Sequence, residues 1–166
     1  KTCDILILCV TGSPLVEDVL IGSGAVLEAL RPGTIVVDCS TAIPSSTRAL
    51  AAKVRSVGCE LVDAAMTRTP KEAEEGRLNL LVGGEGDTIA KARPVLETFA
   101  ENIFVAGGPG SGHQLKLIHN IISLGTVTSV REAVTWLSYT YLFVRMCRNP
   151  MAYGIPYEQK ESAASP

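Results

Sequence analysis

The 166-residue chain reads as an α/β protein: a mostly parallel sheet followed by a long helix. Short apolar runs alternate with stretches of helical periodicity, and glycine or proline stands at most of the changeovers. The apolar runs are continuous rather than alternating, as in strands covered on both faces.

Asp4 to Val10 is the first such run, a predicted strand buried on both sides. Pro14 opens a helix to Leu20, and Ala25 to Leu30 forms a short second one before Pro32-Gly33. Thr34 to Asp38 is a second buried strand, and Pro44 begins a helix that runs to about Val57 and is closed by Gly58. Glu60 to Asp63 is a third strand, Pro70 to Glu75 a short helix, and Leu78 to Val82 a fourth strand ended by Gly83-Gly84. Helical periodicity from Asp87 to Ala100 precedes a last short strand, Ile103 to Val105. After the glycine-rich turn at 107–112, the longest helix is predicted from His113 to about Leu137, with Leu117, Ile121, Leu124 and Val127 at helical spacing and Ile118 and Ile122 widening the stripe.

Composition excludes several classes. Fifteen basic and 17 acidic residues leave a net charge of −2, which gives no electrostatic footprint for nucleic acid or an anionic membrane. With 46% hydrophobic and 19% charged residues the chain is not generally disordered. Ile5 to Val10 falls far short of the ~20 residues that span a bilayer, and no signal-peptide pattern is present. The five cysteines are odd in number and none has C-x-x-C spacing, so neither a disulfide framework nor a metal site is indicated. Buried, reduced thiols suit a cytoplasmic location, or a mitochondrial one if a transit peptide precedes these residues. The first residue is Lys1 rather than Met, which suggests a fragment or a processed product.

Six of the eight aromatic residues (Trp136, Tyr139, Tyr141, Phe143, Tyr153, Tyr157) fall after position 135, and the stretch beyond Arg145 has no sustained period. Residues 138–166 therefore read as an atypical tail, natural or foreign, that is poorly specified.

Three segments carry candidate chemistry. Asp38-Cys39-Ser40-Thr41 follows a strand and precedes a helix, so Ser40 and Thr41 stand at a strand's carboxyl end, where open α/β sheets bind ligands; plain N-capping is the simpler use of such hydroxyls. Thr67, Arg68 and Thr69 lie before Pro70 at a helix start, where two hydroxyls, a planar cation and exposed N–H groups suit a carboxylate, phosphate or sulfonate; an ordinary surface loop reads the same way. Lys116 and Asn120 are i and i+4 after the glycine turn. A lysine moves protons only if desolvation or a nearby cation lowers its pKa from ~10.4. His113 and His119 have no partner spacing for a metal or a triad and read as structural or surface residues.

Together these segments resemble the β-hydroxyacid dehydrogenase family, the relatives of 3-hydroxyisobutyrate and 6-phosphogluconate dehydrogenases. Val37 to Pro44 resembles its D-x-S-T-x-x-P element, and the resemblance implies that Thr41 contacts the nicotinamide cofactor. Leu61 to Pro70, with Ala73, Gly76, Leu78 and Val82-Gly83-Gly84, resembles the substrate segment D-A-P-V-S-G-G with its succeeding A-x-x-G-x-L and V-G-G. Gly110-x-Gly112 with Lys116 and Asn120 resembles G-x-G-x-x-x-K-x-x-x-N, which implies a catalytic lysine and its partner asparagine. Cys9-Val10 stands where the family has a cofactor-touching Leu-Pro.

The resemblance implies NAD or NADP as cofactor, a small anionic hydroxyacid or aldehyde as substrate held by Thr67, Arg68 and Thr69, and a homo-oligomeric parent. Ser-Gly-Gly is replaced here by Thr67-Arg68-Thr69, similar to a branch that includes sulfolactaldehyde reductases. The family's opening strand–G-x-G-x-x-G–helix unit has no counterpart in these residues, nor has its later all-helical domain. The chain is thus expected to hold the second half of a Rossmann-type domain over 1–109, the start of an interdomain helix over 110–137 and the tail over 138–166. Alone it is expected to be inactive, and a non-catalytic α/β fragment or binding module is the rival reading.

Overall fold

The computed structural model describes residues 3–138 and Arg148. All of the predicted tail beyond position 138 except Arg148 lies outside the described residues. The chain divides into two compact units, Lys1–His119 and Asn120–Pro166. In the first, β1 (Ile5–Leu8), β2 (Ile35–Asp38), β3 (Glu60–Thr67), β4 (Leu78–Gly83) and β5 (Ala100–Gly107) form one sheet in the order β1-β2-β3-β4-β5. All neighbouring strands are parallel except β3 and β4, which are antiparallel. The helices are α1 (Ser13–Ile21), α2 (Val26–Ala29), α3 (Pro44–Ser56), α4 (Pro70–Glu74), α5 (Gly86–Leu96) and α6 (Ser111–Ser138), the last shared by both units. Among the described residues no helix is long and apolar enough to cross a membrane.

The sheet is covered on both faces, which explains the continuous apolar runs of the inner strands. Ile35 and Val37 of β2 pack with Val62, Leu80 and Val82 against Ile89, Ala92 and Leu96 of α5. Val36 and Leu61 turn the other way, toward Val16 and Leu20 of α1 and Leu50 and Val54 of α3. Each such buried Val, Leu or Ile contributes ~1.5–3 kcal/mol relative to an exposed one. The helix signals act as expected: Pro14 and Pro44 stand in first turns, and Gly58, at φ +75°, follows the end of α3.

Three sequence expectations are corrected, and the apolar stripe of the last helix is placed. β1 is an edge strand rather than one buried on both faces, and Ile7 is 42% exposed. β3 does not stop at Asp63 but runs to Thr67, because Ala64, Ala65 and Met66 pair with Val82, Leu81 and Leu80 of β4. α5 ends at Leu96 and β5 starts at Ala100, whose main chain continues a ladder beside Leu78. The stripe on α6 is exposed at Leu117 and Ile118 in the first unit, and at Ile121, Ile122, Leu124 and Val127 in the second.

The strand registers align Leu8, Asp38, Asp63, Gly83 and Gly107 in one row across the sheet. β1 and β2 reach this row from one side, β4 and β5 from the other. Four carboxyl ends therefore meet there, and only β3 crosses the row.

Candidate active site

The turns that leave the row carry the predicted cofactor-side residues. Cys9 is exposed and Val10 half-buried just beyond β1, and Val10 donates its N–H to Ser40 Oγ at 3.0 Å. That bond ties the turn after β1 to the turn after β2. Ser40 N–H in turn donates to Asp38 Oδ1 at 2.9 Å, and Ile43 N–H to Ser13 Oγ at 2.7 Å. The tied turns leave Thr41 exposed. Gly12, at φ +149°, lies beside the same turn; a Cβ there would stand 3.8 Å from the Thr41 carbonyl oxygen. An exposed hydroxyl at strand carboxyl ends stands where open α/β sheets bind ligands. No G-x-G-x-x-G turn for its pyrophosphate occurs in the 166 residues.

The start of α6 is locked onto the same row. Asp63 is fully buried, and its carboxylate accepts N–H bonds from Gly110 (2.7 Å, Oδ1) and His113 (2.8 Å, Oδ2). The two glycines of the motif have separate physical reasons. Gly110 sits at φ +87°, and a Cβ there would come within 2.9 Å of the Pro44 carbonyl oxygen. At Gly112 a Cβ would strike the Leu81 carbonyl oxygen and lie 2.8 Å from Gly83 N, so only glycine lets the helix press on β4. Lys116, one turn further on, is half-buried, and desolvation lowers its pKa from the ordinary 10.5. Asn120, also on α6, belongs to the second unit.

The predicted anion-binding trio is engaged within the protein. Thr67 is buried at the end of β3. Arg68, at φ +83°, pairs with Glu101 and donates to the Arg77 carbonyl oxygen at 2.5 Å. That pairing holds the Glu101 carboxyl below its usual pKa. Thr69 forms a capping box with Glu72 at the start of α4, so its hydroxyl and N–H are both used there. The hydroxyl donates to Glu72 and lowers its pKa.

Sequence reasoning missed two contributors. His113 is fully buried, with Nδ1 2.7 Å from Thr47 Oγ1 and Nε2 3.9 Å from Asp38 Oδ2. Its partners lie 66 and 75 residues away, so no local spacing could reveal it. Glu101 was equally invisible as the partner of Arg68, since β5 reaches it only through the parallel pairing with β4. Among the described residues no cluster of His, Cys, Asp and Glu could hold a metal ion.

A doubly covered, mostly parallel sheet with turns gathered at its carboxyl ends defines an α/β ligand-binding domain of Rossmann-like type. A family model described as the NAD binding domain of 6-phosphogluconate dehydrogenase matches residues 1–108, and the chain belongs to that family. The 3-sulfolactaldehyde reductase of Escherichia coli (strain K12) is 35% identical over 133 residues, which is 80% of this chain and 45% of that protein. The 2-(hydroxymethyl)glutarate dehydrogenase of Eubacterium barkeri is 34% identical over 131 residues, 79% of this chain and 44% of that one. A solved 3-hydroxyisobutyrate dehydrogenase of Mycobacterium tuberculosis, with L-serine, superposes with a TM-score of 0.76 at 29% identity, covering 87% of this chain and 50% of that one. The chain thus spans about half the length of the curated relatives it matches. A winged helix-turn-helix domain model matches residues 113–165, which overlaps α6 and takes in the stretch of different composition.

Proposed function

We propose that these residues form the nicotinamide- and substrate-facing part of an NAD- or NADP-dependent β-hydroxyacid dehydrogenase, with Lys116 as the proton-transfer group. Residues 1–109 would be the cofactor-binding part, 110–137 the start of an interdomain helix, and 138–166 a tail of other character. When bound, the cofactor supplies or accepts the hydride. Thr41, Cys9 and Val10 hold the nicotinamide end at the tied turns after β1 and β2. Lys116 moves the proton of the substrate hydroxyl, Asn120 orients the reacting groups, and Thr67, Arg68 and Thr69 hold the substrate's acid group. The compartment would be the cytoplasm, and the active form a homo-oligomer.

The observation that carries this reading is the anchoring of α6: its glycine turn is fixed to Asp63 in the row of strand ends, and one turn later stands a lysine whose pKa is lowered by burial. A lowered pKa brings the neutral amine nearer to working pH, as proton transfer requires. The rival reading is a binding module without turnover.

A chimera separates them. Residues 4–137 replace the matching segment of the Escherichia coli 3-sulfolactaldehyde reductase, and aldehyde-dependent oxidation of NADH and NADPH is followed. Turnover abolished by Lys116→Ala supports the dehydrogenase reading. A folded chimera that binds cofactor without turnover supports the module.

A further inference from the structure

The His113 imidazole is fully buried at the junction of three elements. Asp38 of β2 faces its Nε2, Thr47 of α3 bonds its Nδ1, and Asp63 of β3 accepts its backbone N–H. Nε2 has no hydrogen-bond partner among the described residues, and the Asp38 carboxylate oxygen 3.9 Å away is beyond hydrogen-bond reach. Thr47 Oγ1 has one proton and two acceptors within reach, Nδ1 at 2.7 Å and the Ile43 carbonyl oxygen at 3.2 Å. The hydroxyl either donates to Nδ1 or accepts from Nδ1–H while donating to Ile43, and in both cases Nε2 is left without a hydrogen-bond partner among the described residues.

A buried polar ring with one unmet group is costly. What the ring gains is attachment. It ties the first turn of α6 to α3 through Thr47 and stands beside Asp38 of β2, while Asp63 holds the same turn to β3. Lys116 is three residues further along, so it shares the side of the helix that His113 fixes.

We propose that His113 is a positioning residue: its bond with Thr47 and its place beside Asp38 fix the first turn of α6 and, with it, the half-buried position of Lys116. This rests on the reading of Lys116 as the proton-transfer group. His113 itself touches no reacting atom. It governs how far the lysine is withdrawn from water, and so how readily the lysine gives up its proton.

The test uses the 166-residue chain and reads Lys116 directly. Trace acetylation with acetic anhydride across a pH series, followed by peptide mass spectrometry, gives the ionisation midpoint of that amine. In His113→Ala and in Thr47→Val, which keeps the shape and removes the hydroxyl, the midpoint is expected to rise toward the ~10.4 of a free lysine. In His113→Asn, whose amide can still bond Thr47, it is expected to stay low. A role confined to stability would lower the urea midpoint of each variant and leave the lysine where it is. If His113→Ala fails to fold, Thr47→Val carries the test. A Lys116 midpoint that does not move in a folded His113→Ala or Thr47→Val variant overturns the proposal. Failure of the proton-transfer reading is a separate result, seen as unchanged kcat in the Lys116→Ala chimera whatever the ionisation midpoint.

Discussion

Asp63 Oδ2 accepts the backbone N–H of His113 at 2.8 Å across fifty residues of sequence. A strand interior thus provides the cap for a helix start, with Oδ1 taking the Gly110 N–H as well. Removing the carboxylate leaves two buried N–H groups unmet, each worth ~1–3 kcal/mol. Asp63→Ala is therefore expected to lower the urea midpoint sharply, and Asp63→Asn, which keeps one acceptor oxygen, to lower it less. Equal midpoints for Asp63→Ala and the parent would refute the capping role.

Burial pushes the Cys39 thiol from 9.0 up to about 12, with smaller contributions from nearby Cys9 and Asp38. Cys3 and Cys9 are exposed. At pH 8 iodoacetamide should modify these two and spare Cys39 until the chain is unfolded. The folded pKa lies above the unfolded one, so this thiol's stabilising contribution is whole below pH 9.0 and is lost as pH rises toward about 12. Peptide mapping that finds Cys39 alkylated as fast as Cys9 in the native protein would contradict the burial argument.

Without a glycine-rich pyrophosphate turn among its 166 residues, the isolated chain should show no hydride transfer from NADH or NADPH. The control is the same chain with Lys116→Met. Turnover above that control, at any substrate concentration, would require a second way of holding the dinucleotide.

In the active chimera, Lys116→Ala should lower kcat by ~10²–10⁴-fold and leave cofactor affinity within a few-fold. The lysine's linkage to stability has the opposite sign to that of Cys39. Its folded pKa is lowered, so burying the ammonium costs most at low pH, and the cost fades as pH rises through the lowered pKa. Stability measured from pH 8 upward in Lys116→Met, which keeps the stem without the charge, should lack that rise.

Arg68 gives the proposed substrate trio its charge, and Glu101 already pairs with the guanidinium. An incoming sulfonate or second carboxylate must displace or share that partner, so Glu101→Gln in the chimera should lower KM for a sulfonated aldehyde. Arg68→Gly should raise KM for it by about one to two decades, the worth of a charge-assisted hydrogen bond of ~1.5–3 kcal/mol. It should also narrow the gap to a monoanionic substrate. Equal losses on both substrates would make the Arg68–Glu101 pair a structural one.

Elements announced by local chemistry were legible in the sequence. Ile35 to Val37 reads as a doubly covered strand and is one, and the proline before Ser45 and the glycine after Val57 bracket α3 closely. Asp63 misled, because a charged residue reads as a strand end unless its partners are known, and those partners lie beyond the next two strands. The antiparallel turn of β4 was hidden for a similar reason: the short α4 connection is compatible with either direction. At the candidate site, glycine spacing and Lys116 were readable. The ties that Thr69, Arg68 and His113 make inside the protein were not, since hydroxyl, guanidinium and imidazole look the same in sequence whether they await a ligand or have a partner.

Among the described residues β1 has a neighbour on one side only, and its four residues, Ile5-Leu6-Ile7-Leu8, carry no lysine, proline or bulge to discourage a further strand. Its outer N–H and C=O groups form a template, and the 42% exposure of Ile7 adds an apolar lure beside them. A charged side chain at Ile7 is therefore expected to raise the solubility of the expressed protein.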